Sequence, residues 1–201
     1  GSACALAAAA LAEHAPGPLV IVCPHVDNVD EVTDDLRLFT RLPSEVFPAW
    51  ETLPGEDNAQ ESISGDRTRV LKLLQGTDPE GDLRSQTGGV GSPSPSAGPK
   101  LLVTSIQALL QPVPDRDFLA RNTRTLRVGD EVDLGELTRW LAENGFHSTT
   151  AIEFPGEMAL RGGILDLFAI DWHDPVRIEF FGDTVESIRR FETSSQRSLE
   201  Q

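Results

Sequence analysis

The 201 residues carry 17 Lys and Arg against 32 Asp and Glu, a formal net charge of −15 that argues against bare DNA as their main ligand and leaves room only for a local basic patch, because autonomous nucleic-acid binding needs a basic surface to displace counterions. A hydrophobic fraction of 39% is enough to bury real cores and excludes a chain disordered throughout. Two cysteines, Cys4 and Cys23, are too few for a disulfide framework and lack metal-ligand spacing, which points to a reduced, cytoplasmic protein.

Residues 2–14 read as a helix, since alanine dominates until Pro16 and Gly17. No basic flank makes this stretch a signal peptide, and no apolar run reaches membrane-spanning length. Gly1 in place of Met suggests a piece of a longer protein. Leu19 to Cys23 is a continuous apolar run, the pattern of a strand buried on both faces of a parallel sheet. Asp27 is placed to cap the next helix, on which Val29, Val32, Leu36 and Phe39 share one face. Val46 to Trp50 is a short extended piece held by Pro48, and Ile63, Val70, Leu71 and Leu74 predict a helix over roughly 59–75. Residues 77–99 are rich in Gly, Ser and Pro and read as a flexible loop or insertion. Leu101 to Thr104 resumes a buried strand, with Ser105 as the cap of a short helix from Ile106 to Leu110. Helix, strand, helix is the rhythm of an α/β layer, here over 1–111, and Pro112 and Pro114 mark its boundary.

Beyond the boundary the texture changes. Thr125 to Val128 reads as an edge strand followed by a turn at Gly129-Asp130. Asp133 with Glu136 three residues on resembles a capping box. Leu134, Leu137 and Leu141 line the helix that follows, and Gly145 is suited to end it. Strands are predicted at about 148–153, 158–161, 164–168, 176–181 and 185–192. A helix followed by a meander implies an α+β domain with an antiparallel sheet, over 112–197.

Little here supports catalysis or metal binding. His14, His25, His147 and His173 are scattered, and Asp34-Asp35 belongs to the polar face of a helix. Were the opening segment placed as a phosphate-binding loop, Cys4 would stand for its lysine and Ala5 for its magnesium-holding hydroxyl, and neither serves; the alternative is simply a helix start. Either way this chain is expected to be no enzyme.

The richest signal lies in 154–191. Val176, Ile178 and Phe180 alternate with Arg177, Glu179 and Phe181, so one face is apolar and the other presents Arg177 and Phe181. Gly162-Gly163 lets the backbone swing Arg161 toward the same side. Two arginines and an aromatic on an exposed sheet face suit a protein-binding hot spot. The competing reading pairs both arginines with local acids such as Glu157 or Glu179 and folds Phe181 under a loop. The hairpin at Gly182-Asp183 leaves its register open, since a two-residue loop would set Glu179 opposite Glu186.

Met158-Ala159-Leu160-Arg161-Gly162-Gly163-Ile164-Leu165-Asp166-Leu167-Phe168, Pro175 to Asp183 and Glu186-Ser187-Ile188-Arg189 resemble the UvrB-like N-terminal region of bacterial transcription-repair coupling factors. Val46 to Pro54, Ser105 to Leu109 and Ser195 to Glu200 resemble the same family rather than UvrB. The loop at 77–99 is longer than the family usually has. The resemblance implies a helicase-like parallel α/β layer with a degenerate nucleotide motif, then an inserted UvrB domain 2-like unit, with 198–201 returning to the first. It implies UvrA as partner, contacted by Arg161, Arg177 and Phe181. It further implies a parent that is an ATP- and magnesium-dependent DNA translocase displacing stalled RNA polymerase, its motor, polymerase-binding and double-stranded DNA-binding regions lying elsewhere. A fragment of a UvrB-type DNA helicase is the alternative, disfavoured by the missing lysine and hydroxyl. Charge reversal at Arg161 or Arg177 is then expected to weaken UvrA binding and leave the fold intact.

Overall fold

The computed structural model describes residues 2–50, 57–75 and 99–193. Most of the segment read as a flexible loop, and the four residues read as a return to the first unit, lie outside them. The described residues up to Val113 form one compact unit and those from Pro114 onward a second.

The first unit is a three-stranded parallel sheet with helices on both faces. Its strands are β1 (Leu19–Cys23), β2 (Ser44–Phe47) and β3 (Leu101–Ser105), in the order β1-β3-β2. Leu101 pairs with Leu19 on one side and Ser44 on the other. β3 is central, and all five of its residues are buried. Helices α1 (Ser2–Ala12) and α2 (Asp27–Phe39) cover one face. Ala5, Ala8, Ala9 and Ala12 share a stripe of α1 and pack with Val29, Val32 and Leu36 of α2 against Leu101 and Val103. On the other face Leu102 packs with Phe47, Val70 of α3 (Asp57–Leu74) and Ala108 of α4 (Ile106–Leu109). Ser105 caps α4, its hydroxyl accepting the Ala108 N–H at 3.1 Å.

Three local expectations need correction here. β1 is not buried on both faces: it lies at the sheet edge, and Val20 and Val22 stay exposed on the side that α1 and α2 do not cover. Asp27 is not a cap. It lies inside the first turn of α2, whose flanking Val26 makes no side-chain cap bond, and there its charge meets the positive end of the helix dipole. Phe39, at the last position of α2, is exposed rather than part of the buried stripe.

In the second unit a short helix, α5 (Arg116–Arg121), opens the chain, capped by Asp115. The segment 125–128 forms no strand. The chain instead turns at Gly129 (φ 93°) and fastens to the sheet edge a little later, through Gly129 N–H to Val185 O (2.8 Å) and Val132 N–H to Asp183 O (2.7 Å). Helix α6 (Leu134–Glu143) begins at Asp133, whose carboxylate accepts the Glu136 N–H at 2.8 Å. It ends at Gly145 (φ 88°), with Gly145 N–H to Ala142 O and Phe146 N–H to Leu141 O closing the last carbonyls.

The sheet runs β4 (His147–Ser148), β5 (Glu157–Arg161), β6 (Ile164–Phe168), β7 (Val176–Phe181) and β8 (Thr184–Arg190), in that spatial order. β5 to β8 are antiparallel, whereas β4 is two residues long and pairs parallel with β5. The sheet is thus mixed, and the strand expected over 148–153 is reduced to a stub. One face packs Met158, Leu165, Leu167, Val176, Ile178, Phe180 and Ile188 against Leu137 and Leu141 of α6. On the opposite face Arg161, Ile164 and Phe181 are exposed among the described residues, while Ala159, Asp166, Phe168 and Phe191 are buried.

Candidate protein-docking face

The open face is built by strand alternation. Ala159, Asp166, Arg177 and Arg189 lie abreast across β5 to β8, and neighbours so opposed share a face. At one end of this face Ile152, Ala159, Phe168 and Phe191 form a small buried apolar cluster.

Asp166 organises the polar part. Its residue is 1% exposed, although it sits in the apolar run of β6. Arg177 meets it in a bidentate pair, Nε to Oδ1 at 2.6 Å and Nη2 to Oδ2 at 2.8 Å. Arg161 adds a bond from Nη2 to Oδ2 at 3.0 Å. The Arg177 guanidinium also stacks on Phe191, 4.8 Å from the ring centroid. Fork-to-fork pairing of this kind fixes orientation as well as adding energy. The hydrogen bond to Asp166 raises the Arg177 pKa above its ordinary value, against the opposing effect of burial.

The structure brings the two arginines together on one acid and sets Phe181 on the same face of β7. They differ in what they show to solvent. Arg177 is 24% exposed and Arg161 55%, and Phe181 is 80% exposed. The local-acid reading is therefore half right. The arginines do pair with an acid, but it is Asp166, not Glu157 or Glu179, and Phe181 does not fold under a loop. Glu157 instead accepts the N–H groups of Glu153 and Phe154. Glu179 accepts the Ser187 hydroxyl and pairs with Arg189.

A bulge in β8 resolves the hairpin register. Phe180 pairs with Val185 and Glu179 with Ser187, so Glu186 is skipped and the two glutamates never face each other. The β5–β6 hairpin needs both its glycines. Gly162 takes φ 61°, open to glycine but disfavoured for other residues. A Cβ at Gly163 would stand 2.8 Å from the Phe180 carbonyl oxygen, whose own N–H donates to Gly163 O at 2.8 Å. This close approach lays the Arg161 hairpin beside the Phe180–Phe181 end of β7.

Asp166 was missed by reading the sequence, although its polar position inside Ile164-Leu165-Asp166-Leu167-Phe168 was a signal. The four histidines do not converge: His14 lies near the Ala10 carbonyl, His25 precedes α2, His147 is on β4, and His173 follows β6. At the first turn of α1, Cys4 is exposed and Ala5 fully buried.

Residues 125–201 match the UvrB interaction domain family. Over its full length the chain is 29% identical to a transcription-repair-coupling factor of Escherichia coli and 27% identical to that of Bacillus subtilis, covering 16% of each. It is 34% identical to the Mycobacterium bovis protein over 98% of the chain and 15% of that relative. The chain thus spans about one-sixth of the length of the curated relatives it matches. Residues 125–201 are accordingly a member of the UvrB interaction domain family, carried on a chain homologous from end to end with part of the transcription-repair-coupling factors.

Proposed function

We propose that this chain is a docking module for the repair protein UvrA, with Arg161, Arg177 and Phe181 on the open face of the second unit as its contact group. The observation that carries the reading is the shared Asp166 carboxylate. It holds two guanidiniums in fixed geometry on a sheet face that α6 does not cover, beside a phenylalanine left almost wholly in water. Arginine and aromatic side chains held rigid before association lose little freedom on binding, which favours them as interface anchors. The match of residues 125–201 to the UvrB interaction domain family supports a protein-docking role for this unit.

The first unit is read as a helicase-like layer that has lost its nucleotide chemistry, and the second as the counterpart of a UvrB domain. The residues at the start of α1 do not fit a nucleotide phosphate: Cys4 and Ala5 supply neither a cation nor a magnesium ligand. ATP, magnesium, double-stranded DNA and RNA polymerase belong, on this reading, to other regions of a larger translocase.

The geometry selects Arg161 for the test. Arg177→Glu would set a second carboxylate against the buried Asp166 and disturb the fold, whereas Arg161 is more than half exposed. Arg161→Glu should weaken UvrA binding by about 2 kcal/mol or more, the range for a central interface anchor, with a midpoint lowered less than in Arg177→Glu because the bidentate Arg177–Asp166 pair remains. Calorimetric titration of purified UvrA with the wild-type and variant chains measures this; equal affinities would remove the site assignment.

A further inference from the structure

We infer that Ile164 is a fourth contact residue of this face, forming with Phe181 its apolar half. The inference rests on the UvrA reading above.

Ile164 is the first residue of β6, directly after the Gly162-Gly163 turn, and remains 38% exposed. Its neighbour Leu165 is fully buried against the α6 side, so alternation puts Ile164 on the open face with Asp166. Across the sheet Ile164 pairs with Arg161 on one side and Glu179 on the other. Directly opposed side chains stand about 5 Å apart at Cβ, and the diagonal neighbour two residues along lies at about 7–8 Å. For Ile164 the diagonal neighbours on β7 are Arg177 and Phe181.

Glu179 would otherwise separate the two apolar groups. Its carboxylate is drawn the other way, toward β8, by the Ser187 hydroxyl at 2.8 Å and by Arg189. The outcome is a patch whose members are contributed by three strands: the more exposed of the two guanidiniums, a β-branched aliphatic and an open aromatic ring. A single exposed isoleucine needs no explanation. One placed between the outermost arginine of a docking group and its exposed phenylalanine supplies the dry centre that such interfaces require. A UvrA surface that fits it presents an acceptor for Arg161 next to an apolar recess.

The test is calorimetric titration of UvrA into the 201-residue chain bearing Ile164→Thr, which keeps the β-branched shape and removes apolar surface. We expect about tenfold weaker binding, as for a typical interface anchor, an unchanged unfolding midpoint, and near-wild-type affinity for Ile164→Val. A combined Ile164→Thr/Phe181→Ala variant should lose less than the sum of the single losses if both fill one apolar recess of UvrA, as for residues that share a partner. Affinity within twofold of wild type for Ile164→Thr, while Arg161→Glu weakens binding as expected above, overturns this inference and leaves the docking face standing. A lost affinity that tracks a lowered midpoint overturns it as well. If Arg161→Glu also binds normally, the docking reading itself fails.

Discussion

Arg67 in the first unit and Arg177 in the second each lie over an aromatic ring, and the two solve opposite problems. In the first unit Arg67 of α3 is 3% exposed. It lies over Phe47 and Trp50, 4.2 and 5.5 Å from their ring centroids, and donates to Pro48 O at 2.7 Å and Pro112 O at 3.2 Å. Gln111 completes the clasp, its amide bonding both the N–H and the carbonyl of Trp50. Every acceptor is neutral, and burial lowers the Arg67 pKa. In the second unit Arg177 has a carboxylate for a partner and keeps part of its surface in solvent, and its pKa is raised. A sealed guanidinium with neutral acceptors ties distant pieces of chain together. A half-open one pinned to a carboxylate is stiff yet still has a surface to offer.

That contrast can be broken by substitution. Arg67→Ala would orphan two backbone carbonyls, at about 1–3 kcal/mol each, and lose the stacking, so a destabilisation of about 4 kcal/mol is expected. Urea unfolding followed through tryptophan fluorescence in a Trp140→Phe/Trp172→Phe background, where Trp50 alone remains, would measure it, and UvrA affinity of the folded protein should not change. Asp166→Ala leaves Arg177 half-buried without its counter-charge. Breaking such a pair costs about 3–5 kcal/mol in a closed interior, and the residual water access of Arg177 places this case near the lower figure. Here UvrA affinity should fall as well, because Arg161 and Arg177 lose their common anchor. If the Arg67 variant lost affinity and the Asp166 variant kept it, the division of labour would be reversed.

The smallest effect is a pH dependence at Glu179. Hydrogen bonds from Ser187 and then Arg189 hold its pKa below the ordinary glutamate value, with the charges of Arg189 and Arg177 acting in the same direction. A lowered folded-state pKa means that this contribution to stability is fully present above the unfolded value of about 4.3 and fades as pH falls through the depressed one. Unfolding midpoints recorded from pH 6 down to pH 3 should therefore drop more steeply for wild type than for Glu179→Gln. Parallel curves would show that the Glu179 cluster contributes nothing.

Much of the second unit was legible because period-two alternation and paired glycines are local signals. Val176 to Phe181 announces both its faces, and Asp133 and Gly145, like Ser105 in the first unit, act within a few residues of themselves. The role of Asp166 was not legible, because it depends on which residue of β7 lies opposite, and register is a property of two strands. Proximity in sequence suggested Glu157 and Glu179 as the acids; pairing chose Asp166, eleven residues from Arg177. The exposure of Val20 and Val22 was hidden for a similar reason. An apolar run reports affinity for an interior and cannot report that its strand ends up at the margin of the sheet.

The hook of Gly129 to Val132 onto β8 has a consequence for self-association. An open row of strand amides and carbonyls invites pairing with another copy, and β-rich units are prone to stack in this way. Near the hairpin end of β8 those groups are already taken by the chain's own backbone. Along the far margin β4 pairs with only two residues of β5, so among the described residues Ala159 to Arg161 offer a second strand a place to add.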